Sequence, residues 1–297
     1  MTSVTQPSIT IPDEVIRLAV EGHQHFKRYA PISPELETRD ILDTSRAVKH
    51  AAMLQRYAKL ERARILEIGS GYGLNMAVWI RHFGVDGYGV EPSSPEWGLS
   101  LEASRVLMSA NKIDPERMIN ATAEALPFDD ESFDIVYSSN VLEHVQDPER
   151  VMFEAVRVLK PGGVLHFEIP NFMSYYESHY TFLQPPMLSR KMLEIYAWLR
   201  GRDPEFARTI NTIHPIWCRS VVKRLKKKYP VQLITLGEDI FLERMARPWV
   251  YQTERGEGDS SWIMSVLQKI NVGNWVGRTI VLAQGHYPLY VTLRRAS

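Results

Sequence analysis

Residues 65 to 75 read ILEIGSGYGLN, an apolar run holding one acidic residue and ending in glycines at 69, 71 and 73. The LNMAVWIRHFG that follows has helical spacing and is closed by Gly84. A strand that turns this sharply into a helix brings its backbone close to a ligand where Cβ atoms are missing. Such turns belong to sheets whose strands alternate with helices, which restricts the folds open to the chain.

The flanking sequence keeps that alternation. RILEIG, GYGVEP, RMIN, FDIVYSS and GGVLHFEIP read as strands. Between them EWGLSLEASRVLMSAN and DPERVMFEAVRVLK read as helices, and TSRAVKHAAMLQRYAKL leads in as an amphipathic one. The expected fold is α/β: a Rossmann-like, doubly wound, mostly parallel sheet with helices on both faces and helical lid insertions. The expected divisions are a leader with short helices over 1–43, a ligand-binding core over 44–170, an aromatic helical lid over 171–218, and sheet completion over 219–297. That last part resumes at VQLITLGED, ends at LYVTLRR, and carries a second helical insertion from Phe241 to about Gln284.

Charge excludes some partners. Lys plus Arg and Asp plus Glu both number 35 in 297 residues, so no global field recruits nucleic acid or an anionic membrane. The KRLKKKY run at 223–229 reads as the solvated end of a helix. A single cysteine, Cys218, rules out an intramolecular disulfide and a multi-cysteine metal site. The first residues lack a basic and an apolar targeting region, and no apolar run is long enough to span a bilayer, so a cytoplasmic protein is expected.

The glycine spacing G-S-G-Y-G differs from the dinucleotide fingerprint G-x-G-x-x-G, and no phosphate loop G-x-x-x-x-G-K-[ST] occurs. Glu67 precedes the first glycine by two residues, where a carboxylate repels a pyrophosphate but suits a cationic amine or sulfonium. Glu91, closing the next strand, is placed to accept ribose hydroxyls, a role shared with dinucleotide folds. The E-x-G-x-G-x-G arrangement resembles motif I of the class I S-adenosylmethionine-dependent methyltransferases. ATAEALPFDDESFDIVYSSNVLEHV and RVLKPGGVL resemble that family's later motifs in the same order, so the likeness spans about residues 60–170. It implies S-adenosyl-L-methionine as cofactor, with contacts from Glu67, Gly69, Ser70, Gly71, Tyr72, Gly73, Glu91, Pro92, Thr122, Ala123, Glu124 and Asn140. Thr122 stands where the family has an adenine-contacting Asp, so its hydroxyl or the Ala123 amide is expected to serve instead. Leu142 is expected to wall the site beside Asn140.

Methyl transfer to a hydroxyl needs the proton removed. His144, after the fourth strand, and His179, in the lid stretch NFMSYYESHY, are the expected bases. Tyr175 and Tyr180 are expected to touch substrate, with Phe172 and Tyr176 in the same wall, whereas His166 and His214 read as packing and loop residues. Glu143 and His144 resemble a divalent-cation motif found in part of the family. Their adjacency is poor ligand spacing and no second cluster is evident, so no metal is expected. The expected activity is O-methylation of a small molecule or glycan. Competing readings are N- or C-methylation of a metabolite or lipid, and a non-catalytic cofactor-binding protein whose Trp249, Trp262 and Trp275 form a homo-oligomer interface.

Overall fold

The structure is a computed structural model and describes residues 8–24, 33–93, 98–186, 189–246 and 273–297. Trp249, Trp262, the start of the leader and most of the second insertion lie outside the described residues.

The sheet begins with β1 (Arg64–Ile68), β2 (Asp86–Val90) and β3 (Met118–Ile119), followed by β4 (Phe133–Ser139) and β5 (Leu159–Ile169). It ends with β8 (Val231–Thr235) and β9 (Leu289–Arg295), after a two-stranded hairpin of β6 (Tyr176–Glu177) and β7 (Phe182–Leu183) that stands apart. Among the described residues the order is β3-β2-β1-β4-β5-β9-β8. The first five strands run parallel, and β9 enters antiparallel between β5 and β8. The order reverses between β1 and β4, and open α/β sheets bind ligands at the carboxyl ends of strands at such a switch point.

Strand periodicity sorts the core. Leu66 and Ile68 point to one face, where they meet Val136, Leu165 and the helices α6 (Pro148–Val158) and α9 (Pro215–Leu225) through Val151, Ala155 and Val221. Ile65, Ile135 and Tyr137 point to the other face. There they meet α1 (Asp13–Gln24), α3 (Thr44–Gln55), α4 (Leu74–Phe83) and α5 (Gly98–Ala110) through Leu18, Ala51, Trp79 and Leu107. Each such fully buried apolar side chain contributes about 1.5–3 kcal/mol. α1 is therefore part of the core, laid on α5 beside the glycine turn.

The chain after β5 builds a separate small core. Phe172, Tyr180, Phe182, Leu193, Phe206 and Ile210 bury one another between the β6–β7 hairpin, α7 (Arg190–Leu199) and α8 (Glu205–Thr209). A purely helical lid was expected; the hairpin corrects that. In the last part, α10 (Glu238–Ala246) and α11 (Gly273–Leu282) contact each other ahead of β9. β5 already starts at Leu159, straight after α6, and a register shift against β4 absorbs Gly162 and Gly163. Lys226, Lys227 and Lys228 are exposed just past α9, the solvated helix end that was expected.

Candidate active site

Each glycine of the turn has its own reason. A Cβ on Gly69 would meet Val141 Cγ2 at 2.1 Å, so this glycine lets the segment after β4 close onto β1. A Cβ on Gly73 would meet Ser104 Cβ at 2.9 Å, so this one seats α5. Around Gly71 nothing lies within 4 Å of the position a Cβ would take, and its φ of +51° is left-handed. Gly71 alone opens onto space.

The amides of the turn are already engaged. Gly69 and Ser70 N–H donate to the Val90 carbonyl, Gly73 N–H donates to the Ser70 carbonyl, and Gly71 N–H donates to Glu91 Oε2 at 2.9 Å. A phosphate-binding turn instead aims such amides at its anion. This one braces itself, and its free chemistry is anionic. Glu67 is buried; its Oε1 accepts from Asn75 Nδ2 at 2.6 Å, while Oε2 has no hydrogen-bond partner. Burial raises its pKa to about 8, as it must for a carboxyl with no cation beside it. Glu91, also buried and raised by burial, accepts from Ser100 Oγ and Gly71 N–H, leaving one further lone pair on each oxygen. Ser70 Oγ is likewise buried without a hydrogen-bond partner, against Gly89 of β2.

The remaining expected contacts divide. Pro92 and the exposed Thr122 follow β2 and β3 at the sheet's carboxyl edge, with Ala123 buried beneath. Glu124 is committed elsewhere: its Oε1 accepts from the Gln146 and Asp147 amides and ties down the segment before α6. Tyr72 turns its ring toward α1, against His23 with its hydroxyl near the Ala19 carbonyl, and so props the helix over the turn. Asn140 is exposed at a left-handed φ of +54°, the kind of strained position held at sites by its surroundings. Leu142 is buried in the main core.

Past the end of β4, the fold joins residues from two segments. Glu143 and His144 follow β4, and His179 comes from the β6–β7 hairpin. Glu143 Oε1 lies 3.8 Å from His144 Nε2 and 3.8 Å from His179 Nε2, and the two rings meet edge to face at 5.1 Å. His179 Nδ1 is 2.6 Å from Glu177 Oε1. Burial lowers His144 to about 3. Burial acts the same way on His179, but the Glu177 carboxylate outweighs it and the net shift is upward. Glu143 is fully buried and raised to about 7 by that burial, against the pull of His179.

Tyr180 corrects an expectation. It is fully buried, its hydroxyl donates to the Asp203 carbonyl and accepts from the Ala207 amide, and its ring stacks on Phe182, so it builds the lid instead of reaching an acceptor. Phe172 is likewise lid core, while Tyr175 is half exposed. His166 packs among Tyr57, Tyr137 and Tyr290 and pairs with Thr292 Oγ1, and His214 caps α9. Sequence reading missed Asn75, which positions Glu67, and Glu177, which positions His179. The E-x-H spacing held a signal for the second; nothing held one for the first.

Comparison with known proteins agrees with this geometry. The methyltransferase domain family matches residues 66–167. An uncharacterized methyltransferase of Mycobacterium sp. (strain KMS) is 30% identical over 141 residues, covering 48% of this chain and 52% of that protein. The chloroplastic 2-methyl-6-phytyl-1,4-hydroquinone methyltransferase 1 of rice is 27% identical over 201 residues, covering 63% and 58%. The chain spans about half the length of the curated relatives it matches. An S-adenosylmethionine-dependent methyltransferase structure from Mesorhizobium loti superposes with a TM-score of 0.50 at 16% identity over 82% of this chain and 96% of that one, a likeness of fold. The matched segment runs from β1 to β5 and holds both the glycine turn and the Glu143–His144 loop, so residues 66–167 are similar to a methyltransferase domain.

Proposed function

We propose that the chain binds S-adenosyl-L-methionine in the pocket between β1, β2 and β4 and methylates a hydroxyl of a small molecule or glycan. One observation carries the cofactor half: Gly71 opens onto empty space beside a buried Glu67 whose Oε2 lacks a partner. When bound, S-adenosylmethionine supplies an electrophilic methyl group. Glu67 is set to receive its ammonium, and Glu91 has lone pairs for the ribose hydroxyls. Thr122, Ala123 and Pro92 line the sheet edge where the base would lie. Asn140 follows β4 at the same sheet edge, between the glycine turn's side and Glu143 in the chain.

The acceptor half rests on Glu143, His144 and His179, which close the same edge beneath the lid. We assign deprotonation of the hydroxyl to this cluster as a whole, because none of its three groups stands apart from the other two. Tyr175 is a lid aromatic exposed enough for acceptor contact.

Titration of the protein with S-adenosylhomocysteine tests the pocket. Gly71→Val fills it, and Gly84→Val, at another left-handed and open position, controls for backbone strain. Gly71→Val is expected to lose at least about 100-fold in affinity, with Gly84→Val unchanged. Wild-type affinity in Gly71→Val would end the assignment.

A second reading has one observation behind it. Met192, Ile195, Trp198 and Leu199 of α7 are exposed on the lid, between the basic Arg190, Lys191 and Arg200. With a hydroquinone methyltransferase among the relatives, this face suits an amphipathic acceptor held at a lipid surface. Co-sedimentation with anionic vesicles is its expected signature.

A further inference from the structure

Glu143 has an unusual setting. Its carboxylate is wholly buried, yet neither oxygen has a hydrogen-bond partner. Leaving an acceptor this buried without a donor costs about 1–3 kcal/mol, and more if it is charged. Both oxygens face the two imidazoles at distances beyond a hydrogen bond. His179 brings positive charge toward Glu143, but carboxylates outnumber it: Glu177 lies against His179, and Glu37 of α2 (Pro34–Ile41) and Glu168 of β5 exert their charge on the cluster. The position calls for a cation.

We propose that Glu143, His144 and His179 hold a divalent first-row transition-metal ion of the zinc class. One ligand atom from each lies within 4.8 Å of the others. Around a tetrahedral ion with bonds of about 2.0–2.2 Å, ligand atoms stand about 3.3 Å apart, so side-chain movements of a few tenths of an ångström up to about an ångström would close the site. Two imidazoles and one carboxylate select zinc, cobalt or iron(II) over magnesium and calcium, which take oxygen donors. Glu177 completes the arrangement. By accepting from His179 Nδ1 it fixes the tautomer that presents Nε2 to the ion, as carboxylates behind metal-bound histidines do. Its other oxygen accepts from the Tyr180 amide, and Asn211 clamps the facing segment through the Glu143 and Val145 carbonyls. Three protein ligands leave at least one coordination position unfilled, as in catalytic rather than structural sites.

Adjacent Glu143 and His144 argued against a metal in the sequence; His179 removes that objection, because the lid hairpin delivers it from a distant segment. The site does not depend on the methyl-transfer reading, and its test reads the metal alone. The full chain, stripped with a chelator, is titrated with Co2+ and followed by its visible absorption, with Zn2+ displacing it. One equivalent should bind. Glu143→Gln and His179→Ala should abolish the bands, Glu177→Gln should weaken binding by about 10–100-fold, and His82→Ala, on the exposed end of α4, should change nothing. Should His179→Ala fail to fold, Glu143→Gln and Glu177→Gln decide. Absence of a one-equivalent site, or bands that survive in Glu143→Gln, would overturn the proposal. Retained S-adenosylhomocysteine binding in Glu143→Gln would keep the two sites separate whatever the metal result.

Discussion

Glu67 shows how one residue carries both the chemistry and a penalty. Its carboxyl is buried without a cation, so its pKa of about 8 lies above the usual carboxylate value. For a carboxyl raised on folding, the folded state holds a proton that the unfolded state has already released. Its contribution therefore favours folding below the usual carboxylate range and is lost as pH rises toward about 8. Glu91 adds repulsion in the same direction. Without ligand, Glu67→Gln should flatten the decline in stability between pH 5 and 8 by up to about 1.4 kcal/mol per pH unit, read from urea midpoints across that range. The ammonium of a bound cofactor should have the opposite effect on the wild type, stabilising it more at pH 8 than at pH 5. An identical pH profile for Glu67→Gln and wild type would remove the residue from that role.

Among elements, the glycine turn and the segment after β4 hold each other in place. Gly69 has room only for hydrogen because Val141 occupies the space, and Val141 is the residue that leads into Glu143 and His144. Gly69→Ala adds about 1–2 kcal/mol of backbone strain at a left-handed φ and about 1–3 kcal/mol of overpacking. Gly69→Ala with Val141→Ala should recover the second part and not the first. A double-mutant cycle on chemical denaturation measures the coupling, which should exceed about 0.5 kcal/mol. Perfect additivity would mean that the two elements are independent.

At the scale of the molecule, β9 joins the chain's last residues to its middle. It is hydrogen-bonded along both sides, to β5 and β8, and Thr292 pairs with the buried His166 within a stack of aromatic rings. Thr292→Val keeps shape and strands the imidazole, so it should cost about 1–3 kcal/mol by thermal or urea unfolding while leaving the fold unchanged by circular dichroism. No loss would show that the pair contributes nothing beyond packing. The lid has its own core, so the Glu143–His144–His179 cluster is assembled from two segments that meet at the edge after β4 and β5.

The parallel sheet, the glycine turn, Glu67 and Glu91 were legible in the sequence because they obey short-range rules: alternation of period 2, helical spacing, and glycine where a Cβ cannot go. The same rules could not divide the labour among three glycines, since the reasons for Gly69 and Gly73 are Val141 and Ser104, which are distant in the chain. Tyr180 was misplaced for a related cause: an aromatic residue in a lid reads alike whether it faces substrate or its own core. Local sequence determined the glycine turn and the strand-end carboxyls beside it. Only the tertiary structure decided the rest, because the Glu143–His144–His179 cluster exists when a hairpin after β5 folds back over the end of β4, and no spacing along the chain encodes that contact.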